Sequence, residues 1–357
     1  MPSWSVVVWA VATPDLEDAL RADLGEAGMA LGALPEDCDI HVHVNIVRAL
    51  DGTTRMWPQA DSSFDDLWPR GPDHPHDVAT NATLDELLNE AECWESADHR
   101  FLVLWGHGER AVPTKTIGRD GGVPGASTVI DALAGHAAPD IIGYDACWMA
   151  TLHTVITLAN GLTTSEGETT HVFIGSMVPE PVSGWPYAEL VRILCDTDEP
   201  KAVAAAVVQA YDASLSAPDR SMVALDLAAV NAVKGDHVKA DGLRKALHVL
   251  MTTTPPDPVA FYTAADGADI LEDTNLADLG ALMRGLQVDR DDNAAAVAQA
   301  LFAATLSRRT AGGLNGRDGV AVLLGVPGDS PSDSPQDPPF PSEPTWTDYF
   351  PDLPPLG

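Results

Sequence analysis

Two side chains in this sequence have most chemistry to offer: a histidine set between glycines, Gly106-His107-Gly108, and a cysteine, Cys147, that follows the strand-like run Ile141–Tyr144. A thiol becomes an effective nucleophile when a nearby imidazole takes its proton and later returns it to a leaving amine. Glycine at 108 lets the backbone approach a substrate carbonyl closely, and its N–H, with that of Cys147, can stabilise an oxyanion. Each residue alone has a bland account, a satisfied loop histidine or a small buried thiol. Delivered by adjacent strand ends, they read as a nucleophile and its base. Asp145 stands two residues before Cys147 and so tends toward the same side of the chain. It is either the floor of a pocket for a basic substrate residue or the cap of a following helix.

The elements that must position them can be read from hydrophobic spacing. Phe101–Trp105 and Ile141–Tyr144 are continuous apolar runs, the pattern of strands buried on both faces of a parallel sheet. Active groups in such sheets lie beyond the carboxyl ends of the strands. A helix over Trp148–Ala159 would open directly at Cys147 and favour its thiolate through the helix dipole. Trp4–Ala10 reads as the first strand. Thr13 and Pro14 read as the start of a helix whose stripe is Leu16, Leu20 and Leu24. Ile40, Val42, Val44 and Ile46 alternate with His41, His43 and Asn45, which suggests a half-exposed strand. Gly52–Ala79 lacks periodicity and reads as a long loop. Thr83 and Glu86 suggest a capping box. Glu109–Gly125 is a Gly- and Pro-containing loop with Arg110, Lys115 and Arg119. Further strands are expected at His171–Gly175, Met222–Leu225 and Val320–Leu324. Helices are expected at Val129–Leu133, Lys201–Tyr211, Leu243–Met251, Leu276–Leu286 and Ala294–Leu306. The organisation expected is an α/β domain over 1–225, a mainly helical region over 226–326 packed on it, and a Pro-rich tail over 327–357.

Composition narrows the function. The 357-residue chain carries a formal net charge of −33, which disfavours nucleic acid and anionic membrane surfaces and suits basic substrates or partners. No apolar stretch is long enough to span a bilayer. Cys38, Cys93, Cys147 and Cys195 show no paired spacing and no zinc pattern, which fits a reducing, cytoplasmic setting. The pairs His41/His43 and His74/His76 lack a third ligand and read as exposed histidines, not as metal sites.

Leu104-Trp105-Gly106-His107-Gly108 followed by Asp145-Ala146-Cys147-Trp148-Met149-Ala150 resembles the clostripain-like cysteine peptidases, relatives of caspases, legumains and gingipains. The resemblance continues through Ser176 and Glu180 to Gly184-Trp185-Pro186-Tyr187, similar to the family's substrate loop. It implies a caspase-like three-layer α/β/α sandwich with a mostly parallel central sheet, plus a helical C-terminal region. It also implies a cysteine endopeptidase acting on proteins or peptides. The matching family aspartate lies in a pocket that prefers Arg or Lys, so Asp145 is expected there, with Ser176 or Glu180 on the other wall. Family members are often processed between the His and Cys segments, and Lys115 or Arg119 is the corresponding candidate for self-cleavage. No cofactor is expected. Calcium dependence occurs in the family, but no Asp-x-Asp-x-Asp-Gly loop is present. The alternative from another class is a caspase-fold pseudo-enzyme or interaction module that binds a basic partner protein.

Overall fold

Continuous apolar runs build the centre of the molecule. The structure, a computed structural model, describes residues 2–48, 53–57, 74–75, 81–91, 93–108, 122–162, 171–214, 220–231, 242–253, 258–268, 276–287, 292–311 and 317–323. Its strands are β1 (Trp4–Ala12), β2 (Ile40–Arg48), β3 (Thr53–Trp57), β4 (His74–Pro75), β5 (His99–Gly106), β6 (Ile141–Asp145), β7 (Val172–Gly175), β8 (Arg220–Asp226), β9 (Leu276–Asp278), β10 (Thr305–Ala311) and β11 (Ala321–Leu323). Nine of them form one sheet in the order β10-β8-β7-β6-β5-β1-β2-β3-β4, and β9 pairs with β11 in a separate ribbon. The five strands from β2 to β7 in that order are mutually parallel. Antiparallel strands close both edges.

The helices are α1 (Glu17–Leu31), α2 (Asn81–Glu90), α3 (Ala126–Leu133), α4 (Leu152–Leu162), α5 (Tyr187–Asp196), α6 (Pro200–Ser214), α7 (Leu227–Asn231), α8 (Leu243–Met251), α9 (Pro258–Gly267), α10 (Leu279–Gln287) and α11 (Asp292–Ala304). Side chains alternate across a strand, and here both faces are covered. Val6, Val8, Ala10, Phe101, Val103 and Trp105 pack with Leu20 and Leu24 of α1, Leu190 of α5 and Val207 of α6. Val7, Trp9, Val11, Leu102 and Leu104 face the other way, into a core shared with α2, α3, α4 and the helices from α7 to α11. Two covered faces explain why β1 and β5 show no polar alternation. The expected three-layer, mostly parallel sandwich is therefore the architecture observed.

Several local expectations change. Thr13 does not cap α1: the amide of Leu16 donates to the Thr13 carbonyl at 2.9 Å, closing a turn, and the helix begins at Glu17. Thr83 lies inside α2, which starts at Asn81. His43 and Asn45 are 3% and 1% exposed, so β2 is not half-exposed as its alternation suggested, and His43 is not a surface histidine. Part of the expected 52–79 loop forms β3 and β4, since Thr53-Thr54-Arg55-Met56-Trp57 is rich in strand formers. The segment expected to be helical from Leu276 begins as β9, and the helix expected to run to Leu306 stops at Ala304, where β10 joins the sheet edge. His76, Arg110, Lys115, Arg119 and the 327–357 tail lie outside the described residues.

The cysteines are also not all free. Cys38 and Cys195 are joined, with Cα atoms 5.5 Å apart, tying the segment before β2 to the last turn of α5. Spacing could not show this pairing, because the partners are 157 residues apart. A bridge closing so long a loop contributes about 2–4 kcal/mol by restricting the unfolded chain. Reductant should therefore lower the urea midpoint by the equivalent of that amount. An unchanged midpoint would show that the bridge contributes nothing.

Candidate active site

Parallel strands end on one side of the sheet, and their register fixes what meets there. Trp105 of β5 pairs with Asp145 of β6, so His107 and Cys147 each lie two residues beyond the same rung. Gly106 has φ +146°, and a Cβ there would come within 2.8 Å of the Val11 carbonyl oxygen. Any side chain at Gly108 would overlap the carbonyl of Cys147. Glycine at 106 lets β5 pass close to the end of β1, and glycine at 108 lets the histidine and cysteine segments touch backbone to backbone. Between these segments opens a cleft of about 100 Å³ lined by His107, Cys147, Asp145 and Glu180, with Leu16 and Val182 also lining it.

Cys147 does not open a helix. The helix α4 begins only at Leu152. The residues between form an extended strap: the Trp148 amide donates to Val178 O at 3.2 Å and the Ala150 amide to Ser176 O at 2.7 Å. On the other side the Ala321 amide donates to Ala150 O at 2.8 Å. Trp148 sits at φ +63°, a conformation that interrupts any helix and costs about 1–3 kcal/mol for a bulky residue. The helix dipole therefore does not act on the thiol. Burial pushes the Cys147 thiol up, the charge of Asp145 adds to this, and the amides of Glu180, Cys147 and Gly108 oppose it. The Glu180 N–H donates to Sγ at 3.2 Å. One backbone amide, that of Glu180, is thus aimed at the thiol sulfur.

His107 Nε2 lies 3.0 Å from Asp15 Oδ2. Hydrogen bonding from the Thr13 side chain, and secondarily from the Asp15 amide and His107, holds the Asp15 carboxyl below its ordinary range. The Thr13-Pro14-Asp15 segment, expected to start a helix, is instead a turn that puts a carboxylate on the imidazole. Thr-Pro-Asp directly after a strand is a turn signal that could have revealed this.

Asp145 is not a cap either. It is 5% exposed and accepts hydrogen bonds from the Trp185 amide at 3.2 Å and the Tyr187 hydroxyl at 3.0 Å. Burial pushes its carboxyl up to about 6, against the pull of the Glu180 side chain and then of these two bonds. Both carboxyl oxygens of Glu180 are shut off from solvent, where the side chain lies against the Asp145 carboxyl and the Trp185 indole. Burial and the neighbouring Asp145 hold Glu180 well above the usual carboxylate range. Ser176 is placed elsewhere. Its hydroxyl bonds to the amide and carbonyl of Val178, and it supports the strap from behind without lining the cleft. A second residue missed from sequence is Asp23, 4% exposed, which accepts a 2.8 Å hydrogen bond from the Trp105 indole. Its signal was its place on the α1 stripe among Leu20, Leu24 and Ala27, where an acid is out of pattern.

Among the described residues no group of three or more His, Cys, Asp or Glu is arranged to hold a metal ion. No described helix is long and apolar enough to cross a membrane.

The model of the clostripain family, peptidase family C11, matches residues 8–298. No curated protein sequence matches the chain. Among solved structures, a secreted C11 cysteine protease from Bacteroides thetaiotaomicron bound to an irreversible peptide inhibitor is 17% identical, with a TM-score of 0.65 over 93% of this chain and 94% of that one. A structure of the same organism's protease named iotapain is 13% identical, with a TM-score of 0.67 over 90% and 94%. An inactive zymogen C11 protease from Parabacteroides distasonis is 13% identical, with a TM-score of 0.64 over 90% and 92%. At these identities the likeness establishes the shared caspase-like fold.

Proposed function

Because the chain belongs to the clostripain family of cysteine peptidases, we propose that it is an endopeptidase that cuts after Arg or Lys with Cys147 as nucleophile and His107 as proton carrier. The observation that carries the specificity is the buried Asp145–Glu180 pair on the floor of the cleft that also holds Cys147. Two carboxyls without a cationic partner are costly in a dry pocket. A guanidinium or ammonium from the substrate supplies the missing partner and places the scissile carbonyl at Sγ.

In the reaction, His107 takes the thiol proton as Sγ bonds to the carbonyl carbon. With Nε2 engaged by Asp15, Nδ1 is the nitrogen left to receive it. Charge moves to the carbonyl oxygen, where the Gly108 and Cys147 amides donate, each worth about 3 kcal/mol of barrier. The imidazolium then protonates the leaving amine, and water, deprotonated by His107, releases the acyl group. Asp15 keeps the ring oriented throughout. These steps call for no cofactor and no calcium.

We also infer self-cleavage at Lys115 or Arg119, in the segment between the two catalytic residues. The basic preference and the existence of an inactive zymogen in a relative support this. An oxidising compartment suits the chain better than the cytoplasm, given the Cys38–Cys195 bridge and the secreted relative.

One experiment tests the whole reading: fluorogenic peptides with Arg, Lys, Asp, Asn or Leu at the cleaved position, given to wild type and Cys147→Ala. Arg and Lys substrates should be cut by wild type alone. On a gel, wild type should separate into about one third and two thirds of the chain, with Cys147→Ala intact. Absence of any cleavage would favour a binding module, and a preference for Asp or Leu would remove the basic pocket. An uncut chain with full activity, when Lys115 and Arg119 are both alanine, would remove self-cleavage from the scheme.

A further inference from the structure

We propose that Asp23, on the helix behind the cleft, is the third acid of the substrate pocket, and that a basic side chain enters this pocket in exchange for a proton. The inference rests on the reading that the pocket takes Arg or Lys, and adds to it a residue and a coupling that this reading does not contain.

The argument starts from position. Asp23 lies on the buried face of α1, between Leu20 and Leu24, at a place where the helix period calls for an apolar side chain. Its one hydrogen-bond donor among the described residues is the Trp105 indole. Facing it are Glu26 on its own helix, Asp145 on β6 and Tyr187 on α5. None of these is a cation. Gly184 shows how close the acids come: a Cβ built there would stand 2.9 Å from Asp23 Oδ2 and 3.0 Å from Asp145 Oδ2. The two carboxyls converge on one glycine, whose φ of +55° also favours the absence of a side chain. Glu180, with both oxygens shut off from solvent, lies against Asp145 from the loop after β7. Asp145 is therefore flanked by two further acids from two other elements, Asp23 behind the cleft at Gly184 and Glu180 within it.

Three such charges cannot coexist without a counterion. Burial, and then the charge of Asp145, pushes the Asp23 carboxyl up to about 9. Asp145, at about 6, is the first to ionise. At neutral pH Asp23 accordingly keeps its proton in the empty pocket beside an ionised Asp145, and burial disfavours the charged form of Glu180 as well. An arriving guanidinium reverses the balance, because a cation favours the ionised form of every carboxyl near it. A carboxyl O–H breaks, its proton leaves to solvent, and the anion stays to face the cation. By linkage, affinity then rises with pH by up to about tenfold per unit for each proton released. The effect belongs to charged side chains, so a neutral isostere does not share it.

The test uses full-length Cys147→Ala, which binds without cutting, and two peptides that differ only in Arg or Gln at the cleaved position. Arg is chosen because it stays protonated throughout the range. Calorimetry in two buffers of different ionisation enthalpy counts the protons released. The Arg peptide should release protons at pH 7.5 and bind about tenfold or more tightly at pH 8.5 than at 6.5, while the Gln peptide does neither. Adding Asp23→Asn, which keeps an acceptor for Trp105, should cut the proton release and flatten the pH dependence above 7. Asp23→Leu, which suits the apolar stripe, should act in the same direction if the Asn variant does not fold. Equal release with and without Asp23 would overturn its role while leaving the basic pocket intact. Equal binding of Arg and Gln peptides would overturn both.

Discussion

Exchange of His107 for alanine should lower kcat for peptide hydrolysis by at least about a hundredfold, the usual cost of losing a general base, without moving the melting temperature. The imidazole is 43% exposed and contacts the exposed side chain of Asp15. What anchors the segment is backbone: the Val123 amide donates to His107 O at 2.8 Å, a bond alanine retains. Asp15→Ala should give a smaller loss, about tenfold in kcat with KM unchanged, because it acts on the reaction through the orientation of the ring. Steady-state kinetics with an Arg substrate separates the two. Turnover of His107→Ala within about tenfold of wild type would assign the base elsewhere, and an unaltered Asp15→Ala would remove the carboxylate from the machinery.

The second large effect concerns Asp145. Asp145→Asn keeps an acceptor for the Trp185 amide and the Tyr187 hydroxyl, so the loop from Gly184 to Tyr187 stays in place. What it removes is the carboxylate that ionises most readily in the pocket. Truncating one partner of a buried charge pair costs roughly 2–5 kcal/mol. The kcat/KM for Arg and Lys substrates should therefore fall by about a hundredfold or more, with Leu substrates changed little. A second consequence is independent of substrate. Because the Asp145 charge helps push the thiol up, iodoacetamide should alkylate Cys147 faster in the variant at a given pH. An unchanged ratio of Arg to Leu cleavage would refute the pocket.

Much of the fold was legible because its strands are buried on both faces. Phe101–Trp105 and Ile141–Tyr144 have no polar alternation, and that alone placed His107 and Cys147 at the carboxyl edge. The same rule misled at β2, where His43 and Asn45 alternate with aliphatic residues yet lie under a second layer. The helix expected at Trp148 failed for a tertiary reason. The strap from Cys147 to Thr151 takes its hydrogen bonds from residues 176–178 and from Ala321, partners that no local window contains. The pocket was half legible. Asp145 and Glu180 stood near the motif, but Asp23 precedes Cys147 by more than a hundred residues and joins it only through the packing of α1 on the sheet. Asp15 was hidden by the resemblance of Thr13-Pro14-Asp15 to a helix start.

The upward push on the Cys147 thiol has a consequence for the life of the protein outside catalysis. Peroxides and other oxidants attack thiolates, and a low-pKa exposed cysteine climbs quickly toward sulfenic and then irreversible sulfinic acid. Here the resting sulfur is kept in its protonated form by burial and by a neighbouring negative charge. On the proposed function, a cationic substrate residue would neutralise that charge as it brings the carbonyl within reach. Chemical vulnerability and catalytic readiness would then share the same brief interval, and between substrates the sulfur would age slowly.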